Sequence, residues 1–260
     1  MILLKNAIQE FHFQNIHLYQ MDCMDAMAQM TGKSFSLCIT DPPYGSDGIE
    51  RTGGTWANKT DGGKRIKEWD YKPTEQYFKE LFRISENQII WGGNYFGLPP
   101  NRHYLIWKKH IPENFTAGMC EYAWSSFNLN PKIFEHPSNT EFRRFHPTQK
   151  PVKLYEWLLT NYAKPGDTIF DSHGGSFSSA IAAYRLGFDF TGIELDADYF
   201  NAAVKRFKEQ TAQLDAFRQP KPATVTQLTL NPYGDKLCPN CNRHHSEAGS
   251  FCCTACEFGI

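Results

Sequence analysis

Asp167-Thr-Ile-Phe-Asp171-Ser172-His173-Gly174-Gly175-Ser176 runs a short apolar strand into a glycine turn, and a helical pattern follows. Twenty-three residues beyond Asp171 a second apolar run, Phe190-Thr-Gly-Ile-Glu194, ends in an acid. Glycines let a backbone approach a ligand closely, and an acid at the tip of the next strand can grip two ribose hydroxyls. This is the nucleoside-binding layout of a doubly wound sheet. The turn lacks the glycine spacing of the dinucleotide fingerprint, which counts against NAD or FAD.

The rest of the chain up to about residue 212 keeps the same alternation. Short runs predict strands at 16–19, 35–40, 88–91, 104–107, 168–171 and 190–194. Helices are expected over 74–83, from Pro151 through Leu154, Trp157 and Leu158, over 176–186 before Gly187, and over 197–217. Strand and helix in alternation predict an α/β fold, doubly wound on a mostly parallel sheet. Two segments break the pattern. Gly45–Asp70 is rich in glycine and poor in apolar residues, so it reads as a long loop of the kind that often forms a functional lid. Residues 218–236 carry Pro220, Pro222 and Pro232 without periodicity and read as a linker.

The chain's 260 residues carry 27 Lys plus Arg against 28 Asp plus Glu, a formal net charge of −1. That near-neutral balance excludes nucleic-acid binding by blanket positive charge, so any such binding must use local patches. No apolar run approaches the ~18 residues of a membrane span, and none is expected to meet a membrane. The first residues are too short and polar for a signal peptide. Five of the 8 cysteines crowd the end of the chain, which suits a metal site in a reducing cytoplasm better than a disulfide scaffold.

The strand Phe35-Ser-Leu-Cys-Ile-Thr40 ends in Asp41-Pro42-Pro43-Tyr44-Gly45. Two prolines fix the backbone and remove two N–H donors, leaving carbonyls and the Asp41 carboxylate as acceptors at the carboxyl edge of the sheet. Such a cluster suits an amino group on a substrate. Asp41 and the Pro42 carbonyl can each accept one of its hydrogens, while Tyr44 stacks on the ring that bears it.

Asp41-Pro-Pro-Tyr44, His146-Pro-Thr-Gln-Lys-Pro151 and the glycine turn together resemble the DNA amino-methyltransferases that use S-adenosylmethionine. The tetrapeptide precedes the cofactor turn, as in the permuted beta class, and the resemblance covers about residues 16–210. It implies a Rossmann-like methyltransferase fold with Asp41, Pro42, Pro43 and Tyr44 in catalysis. It places Asp22, Thr148, Lys150, Asp171, Gly174, Gly175, Ser176 and Glu194 around the cofactor. It also implies double-stranded DNA as partner and, as often in that class, a homodimer. The family's turn usually reads Asp-Pro-Phe-x-Gly-Ser-Gly; here Phe177 stands in place of the last glycine, and His173 reads as a packing residue. Trp91-Gly-Gly-Asn-Tyr-Phe96 is familiar in the family as the end of a central strand.

The family's target-recognition segment is short here, about 128–145. Recognition is therefore expected to fall partly on the 45–70 loop, with Lys59, Lys64, Arg65 and Lys67, charges that an ordinary solvated loop would also carry. Arg143 and Arg144 are better placed for phosphates. Gly53–Thr60 falls one residue short of a P-loop and lacks the flanking strand and helix. No cysteine follows a proline in the catalytic half, as cytosine C5 chemistry would need, and Cys23, Cys38 and Cys120 read as core packing.

In the tail, Cys238-Pro-Asn-Cys241 and Cys253-Thr-Ala-Cys256 are two Cys-x2-Cys knuckles. They supply the four thiolates of a tetrahedral structural Zn2+, with Cys252 spare or an alternative in register. His244 and His245 read as surface residues. The expected organisation is a methyltransferase domain over 1–217, the linker, and a zinc-ribbon-like module over 237–260. The reaction expected is methylation of adenine N6, because cytosine-N4 enzymes more often carry Ser at the position of Asp41. Cytosine N4 methylation is the alternative of like chemistry, and an inactive DNA-binding or assembly module the alternative of another class.

Overall fold

The computed structural model describes residues 3–45, 71–114, 118–138 and 144–217, the side chains of 213–217 excepted. The expected loop beyond Gly45, with Lys59, Lys64, Arg65 and Lys67, lies outside the described residues. So do Arg143, the linker, and the tail with Cys238, Cys241, Cys253 and Cys256.

Among the described residues nine strands form one sheet: β1 (Gln9–Phe13), β2 (Ile16–Gln20), β3 (Phe35–Thr40), β4 (Ser85–Trp91), β5 (Tyr104–Lys108), β6 (Cys120–Ser125), β7 (Lys132–Glu135), β8 (Thr168–Asp171) and β9 (Asp189–Glu194). Their spatial order is β1-β2-β9-β8-β3-β4-β6-β5-β7. The five strands from β2 to β4 run parallel, β6 is antiparallel to both neighbours, and β1 closes one edge as a hairpin with β2. The helices are α1 (Cys23–Ala28), α2 (Glu75–Ile84), α3 (Val152–Tyr162), α4 (Ser178–Leu186) and α5 (Ala197–Phe217).

Alternation along the strands splits the core in two. Ile16, Leu18, Leu37, Ile39, Ile89, Trp91 and Ile169 join the apolar faces of α3, α4 and α5. Tyr19, Cys38, Ile90, Phe170 and Ile193 point the other way, into a cluster with α1 and α2. Strands buried on both faces and helices on both sides make a doubly wound fold. Among the described residues no helix is long and apolar enough to cross a membrane.

The structure departs from the expected elements in several places. β1, α1, β6 and β7 are additional, and β7 lies inside the segment expected to read the target, pairing in parallel with β5. α4 begins at Ser178 instead of Ser176, because Phe177 holds a left-handed backbone (φ 49°) that extends the turn by two residues.

Candidate active site

The two chemically distinctive segments, about 130 residues apart in sequence, meet because their strands are neighbours. β3 pairs with β8 through Leu37–Ile169 and Cys38–Phe170, so the Asp41 tip and the glycine turn leave the same sheet edge side by side. Here the direction of winding changes, and the crevice where open α/β sheets bind ligands results. A buried bond fastens the two tips: Thr40 Oγ1 lies 2.8 Å from Ser172 Oγ. Tyr77 of α2 closes the cluster, its hydroxyl 2.7 Å from Ser172 Oγ. His173 Nδ1 lies 3.0 Å from the same hydroxyl, and its ring sits edge-on to Tyr77 at 5.3 Å. Burial lowers its pKa to about 4, so it packs as a neutral ring.

Glu194 at the end of β9 grips the glycine turn. One carboxylate oxygen accepts the Gly175 N–H at 2.7 Å and the other accepts the Asp196 N–H at 2.9 Å. A carboxylate has about four acceptor sites, so two lone pairs of this half-buried group stay available for hydroxyls. Burial pushes its pKa up, and the bonds from Asp196 and Gly175 pull it part of the way back. Asp171 serves the turn from inside: its oxygens accept the His173 N–H at 3.1 Å and the Ser179 hydroxyl at 2.7 Å. Burial raises its pKa to about 7. Ser176 is buried, its carbonyl accepting from Arg206 at 2.8 Å. The fully buried Phe177 ring covers Gly174; a Cβ there would fall 2.0 Å from Phe177 Cε1, so only glycine fits. His146 closes the turn from the other side, its ring 3.3 Å from where a Cβ of Gly175 would stand. Burial first, then Lys150, lowers the His146 pKa to about 4.

At the other tip Tyr44 folds back on its own motif. Its hydroxyl donates to Asp41 Oδ1 at 2.7 Å, and its ring stacks on the half-exposed Tyr95 with centroids 5.0 Å apart. Gly92, at the end of β4, has φ 68°, and a Cβ there would lie 2.0 Å from the Tyr44 ring. The glycine is what lets Tyr44 approach. Asp41 Oδ2 accepts from the ammonium of Lys150, which also meets Glu121 Oε2 at 2.9 Å and lies over the Trp91 ring at 5.4 Å. The Lys150 side chain is 3% exposed. Lys109 Nζ holds the other Glu121 oxygen at 2.5 Å. Burial pushes the Asp41 carboxyl up, against Lys150, which holds it down; the balance stays above the ordinary carboxylate value.

The structure thus brings Asp41, Pro42, Pro43, Tyr44, Lys150, Gly174, Gly175, Ser176, Asp171 and Glu194 to one sheet edge. The ammonium of Lys150, a residue expected beside the cofactor, meets Asp41 and Glu121. Asp22 caps α1, accepting from the backbone N–H of Met24 at 2.7 Å and of Asp25 at 3.2 Å. Thr148 is exposed, with Oγ1 3.2 Å from His146 Nδ1. Arg144, expected at phosphates, donates to the Gln149 carbonyl at 3.1 Å and so braces the His146–Lys150 segment. Of the three cysteines expected in the core, Cys38 is buried while Cys23 and Cys120 are half-buried. Sequence reasoning missed Glu121, Lys109 and Tyr95. The available signal was one acid, Glu121, directly before the apolar Tyr122-Ala-Trp124.

Comparison with known proteins agrees with this geometry. Residues 90–205 match the family described as DNA methylase. The Type II methyltransferase M2.MboI of Moraxella bovis is 23% identical over 258 residues, spanning 79% of this chain and 93% of that protein. The DNA adenine methyltransferase YhdJ of Escherichia coli (strain K12) is 36% identical over 158 residues, or 49% of this chain and 53% of the relative. Among solved structures, the cytosine-N4-specific PvuII DNA methyltransferase shares the fold with a TM-score of 0.54. That likeness comes at 13% identity, over 81% of this chain and 95% of that one.

Proposed function

We propose that this chain is a DNA methyltransferase of the N6/N4 family and that its acceptor is the exocyclic N6 amine of adenine. The observation that carries the proposal is Asp41 at the β3 tip, beside the glycine turn, with Tyr44 on its carboxylate. Among relatives, one named for adenine methylation is 36% identical over about half of this chain.

An exocyclic amine is a poor nucleophile because its lone pair is conjugated with the ring. Accepting its two N–H bonds at Asp41 and the Pro42 carbonyl favours the tetrahedral geometry in which that lone pair can attack. The target base must first leave the stack, and the Tyr44 ring offers it a face. S-adenosylmethionine, when bound, supplies an electrophilic methyl on a sulfonium. The residues present suit it: Glu194 retains acceptor capacity at the turn, and Gly174 and Gly175 expose backbone in the crevice. As nitrogen takes the methyl, positive charge grows at N6, and the Asp41 carboxylate stabilises it and is the acceptor at hand for the surplus proton. Nucleoside mass spectrometry of DNA treated with the purified protein tests this reading: N6-methyladenine supports it, and N4-methylcytosine replaces it.

Two further proposals rest on sequence. Lys59, Lys64, Arg65, Arg143 and Arg144 are read as phosphate contacts, which predicts weaker DNA binding and a shallower salt dependence when they are neutralised. Residues 237–260 are read as a module holding one structural zinc through Cys238, Cys241, Cys253 and Cys256. Metal analysis of freshly purified protein is expected to find zinc, and its absence ends that idea.

A further inference from the structure

Behind Asp41 four charges alternate in sign, and the reaction described above uses only the first. Asp41 meets Lys150, Lys150 meets Glu121 at 2.9 Å, and Glu121 meets Lys109 at 2.5 Å. The four come from four places: the β3 tip, the segment before α3, the first half of β6, and the residue after β5. Their side chains are 13%, 3%, 26% and 14% exposed, so solvent screens the chain poorly.

Lys150 poses a problem for methyl transfer. An ammonium bonded to Asp41 alone would neutralise the carboxylate that must stabilise positive charge growing on the target nitrogen. Glu121 supplies the remedy, because it competes for the same ammonium. Lys109 in turn keeps Glu121 ionised. Burial works to raise the Glu121 carboxyl, yet Lys150 and Lys109 outweigh it and hold the group down at about 2.

Resting on the reading of Asp41 as the group that orients the amine, we propose that Glu121 is a positioning residue for methyl transfer. By sharing the Lys150 ammonium, it leaves net negative charge on Asp41 facing the substrate. The ammonium still has a use: it makes a buried carboxylate tolerable and fixes its orientation.

The groups that act on Asp41 are Lys150, Glu121 and Tyr44, and Asp41 itself is felt by Asp171 on β8 and Tyr155 on α3. His146 also faces Lys150. Within this set Glu121 raises the Asp41 pKa, so removing its charge makes Asp41 ionise at lower pH. That sign separates the proposed role from a merely structural one.

The test is single-turnover methyl transfer on DNA at saturating S-adenosylmethionine, followed against pH for the parent, Glu121→Gln, Glu121→Asp and Asp41→Asn. For Glu121→Gln the expected result is a rate lower by on the order of tenfold, unchanged cofactor affinity, and an acid limb moved to lower pH. Glu121→Asp keeps the charge, so its acid limb is expected to stay at the parent position even if its rate drops. That variant decides the matter should Glu121→Gln not fold; an acid limb moved by Glu121→Asp as well would overturn the proposal. Glu121→Gln at the parent rate, or slower without any shift of the limb, also overturns it. With Asp41→Asn inactive, either result removes the role of Glu121 alone. Asp41→Asn at the parent rate removes the amine-orienting reading, and the role of Glu121 with it.

Discussion

Tyr44 donates its hydroxyl to Asp41 across 2.7 Å, three residues away in the same tip, so the aromatic group and the carboxylate act as one unit. The ring provides a stacking face while the hydroxyl fixes one oxygen of Asp41, leaving Lys150 to fix the other.

Tyr44→Phe therefore separates the two roles. Loss of a hydrogen bond to a buried carboxylate costs roughly 1.5–3 kcal/mol in comparable settings. Methyl transfer is expected to fall on the order of tenfold with DNA affinity kept. Tyr44→Ala should in addition weaken capture of the base, by ~1–3 kcal/mol for a lost stacking partner. Single-turnover rates and DNA binding on the two variants check this, and full activity in Tyr44→Phe would show that only the ring matters.

Glu194→Ala is expected to weaken S-adenosylmethionine binding and also to loosen the turn, because the same carboxylate accepts the Gly175 and Asp196 N–H groups. Two charge-assisted bonds lost to a ligand should lower affinity by roughly a hundredfold. Calorimetry that finds the parent affinity would remove the acid from the cofactor site.

Phe177 occupies a left-handed backbone position where the related motif carries glycine, so Phe177→Gly pits two effects against each other. Removing a β-carbon relieves about 1 kcal/mol of backbone strain. Emptying the space of a fully buried ring costs about 3–5 kcal/mol. The cavity term wins, and a lower midpoint in denaturant is expected; a more stable variant would mean that strain dominates.

Acid should destabilise the protein through His173. Its folded pKa is lowered to about 4 by burial, below the ordinary 6.5. The unfolded chain then binds the proton first, so stability is complete above about 6.5 and is lost as pH falls toward 4. The raised Asp171 acts in the opposite sense between about 4 and 7, so the useful quantity is the difference between parent and His173→Gln. Denaturant midpoints at several pH values should show a smaller acid loss in the variant, by on the order of 1–3 kcal/mol. Equal slopes would rule out His173 as the source.

Much of this was legible in the sequence, and the reasons are physical. β3 and β8 are buried on both faces, so continuous apolar runs ending at Asp41 and Asp171 marked them to the residue. α5 showed its period over many turns. β1 carries a weak alternation, with Phe11 and Phe13 half-exposed at a sheet edge, and β7 is only four residues long. β6 was hidden because Glu121 interrupts it, and that acid faces partners outside its own strand, Lys150 and Lys109. Local motifs carried the site's chemistry. The pairing of Lys150 with Asp41, 109 residues apart, is a property of strand order, which no single segment encodes.

The most direct measurement is nucleoside mass spectrometry of unmethylated DNA incubated with S-adenosylmethionine and either the parent or Asp41→Asn. Asparagine keeps the shape of the side chain but removes the charge that faces the amine. The expected result is N6-methyladenine with the parent and a rate lower by ~10²–10³ with the variant. N4-methylcytosine as the product would contradict the assignment to adenine. N6-methyladenine formed equally fast by Asp41→Asn would contradict the mechanism.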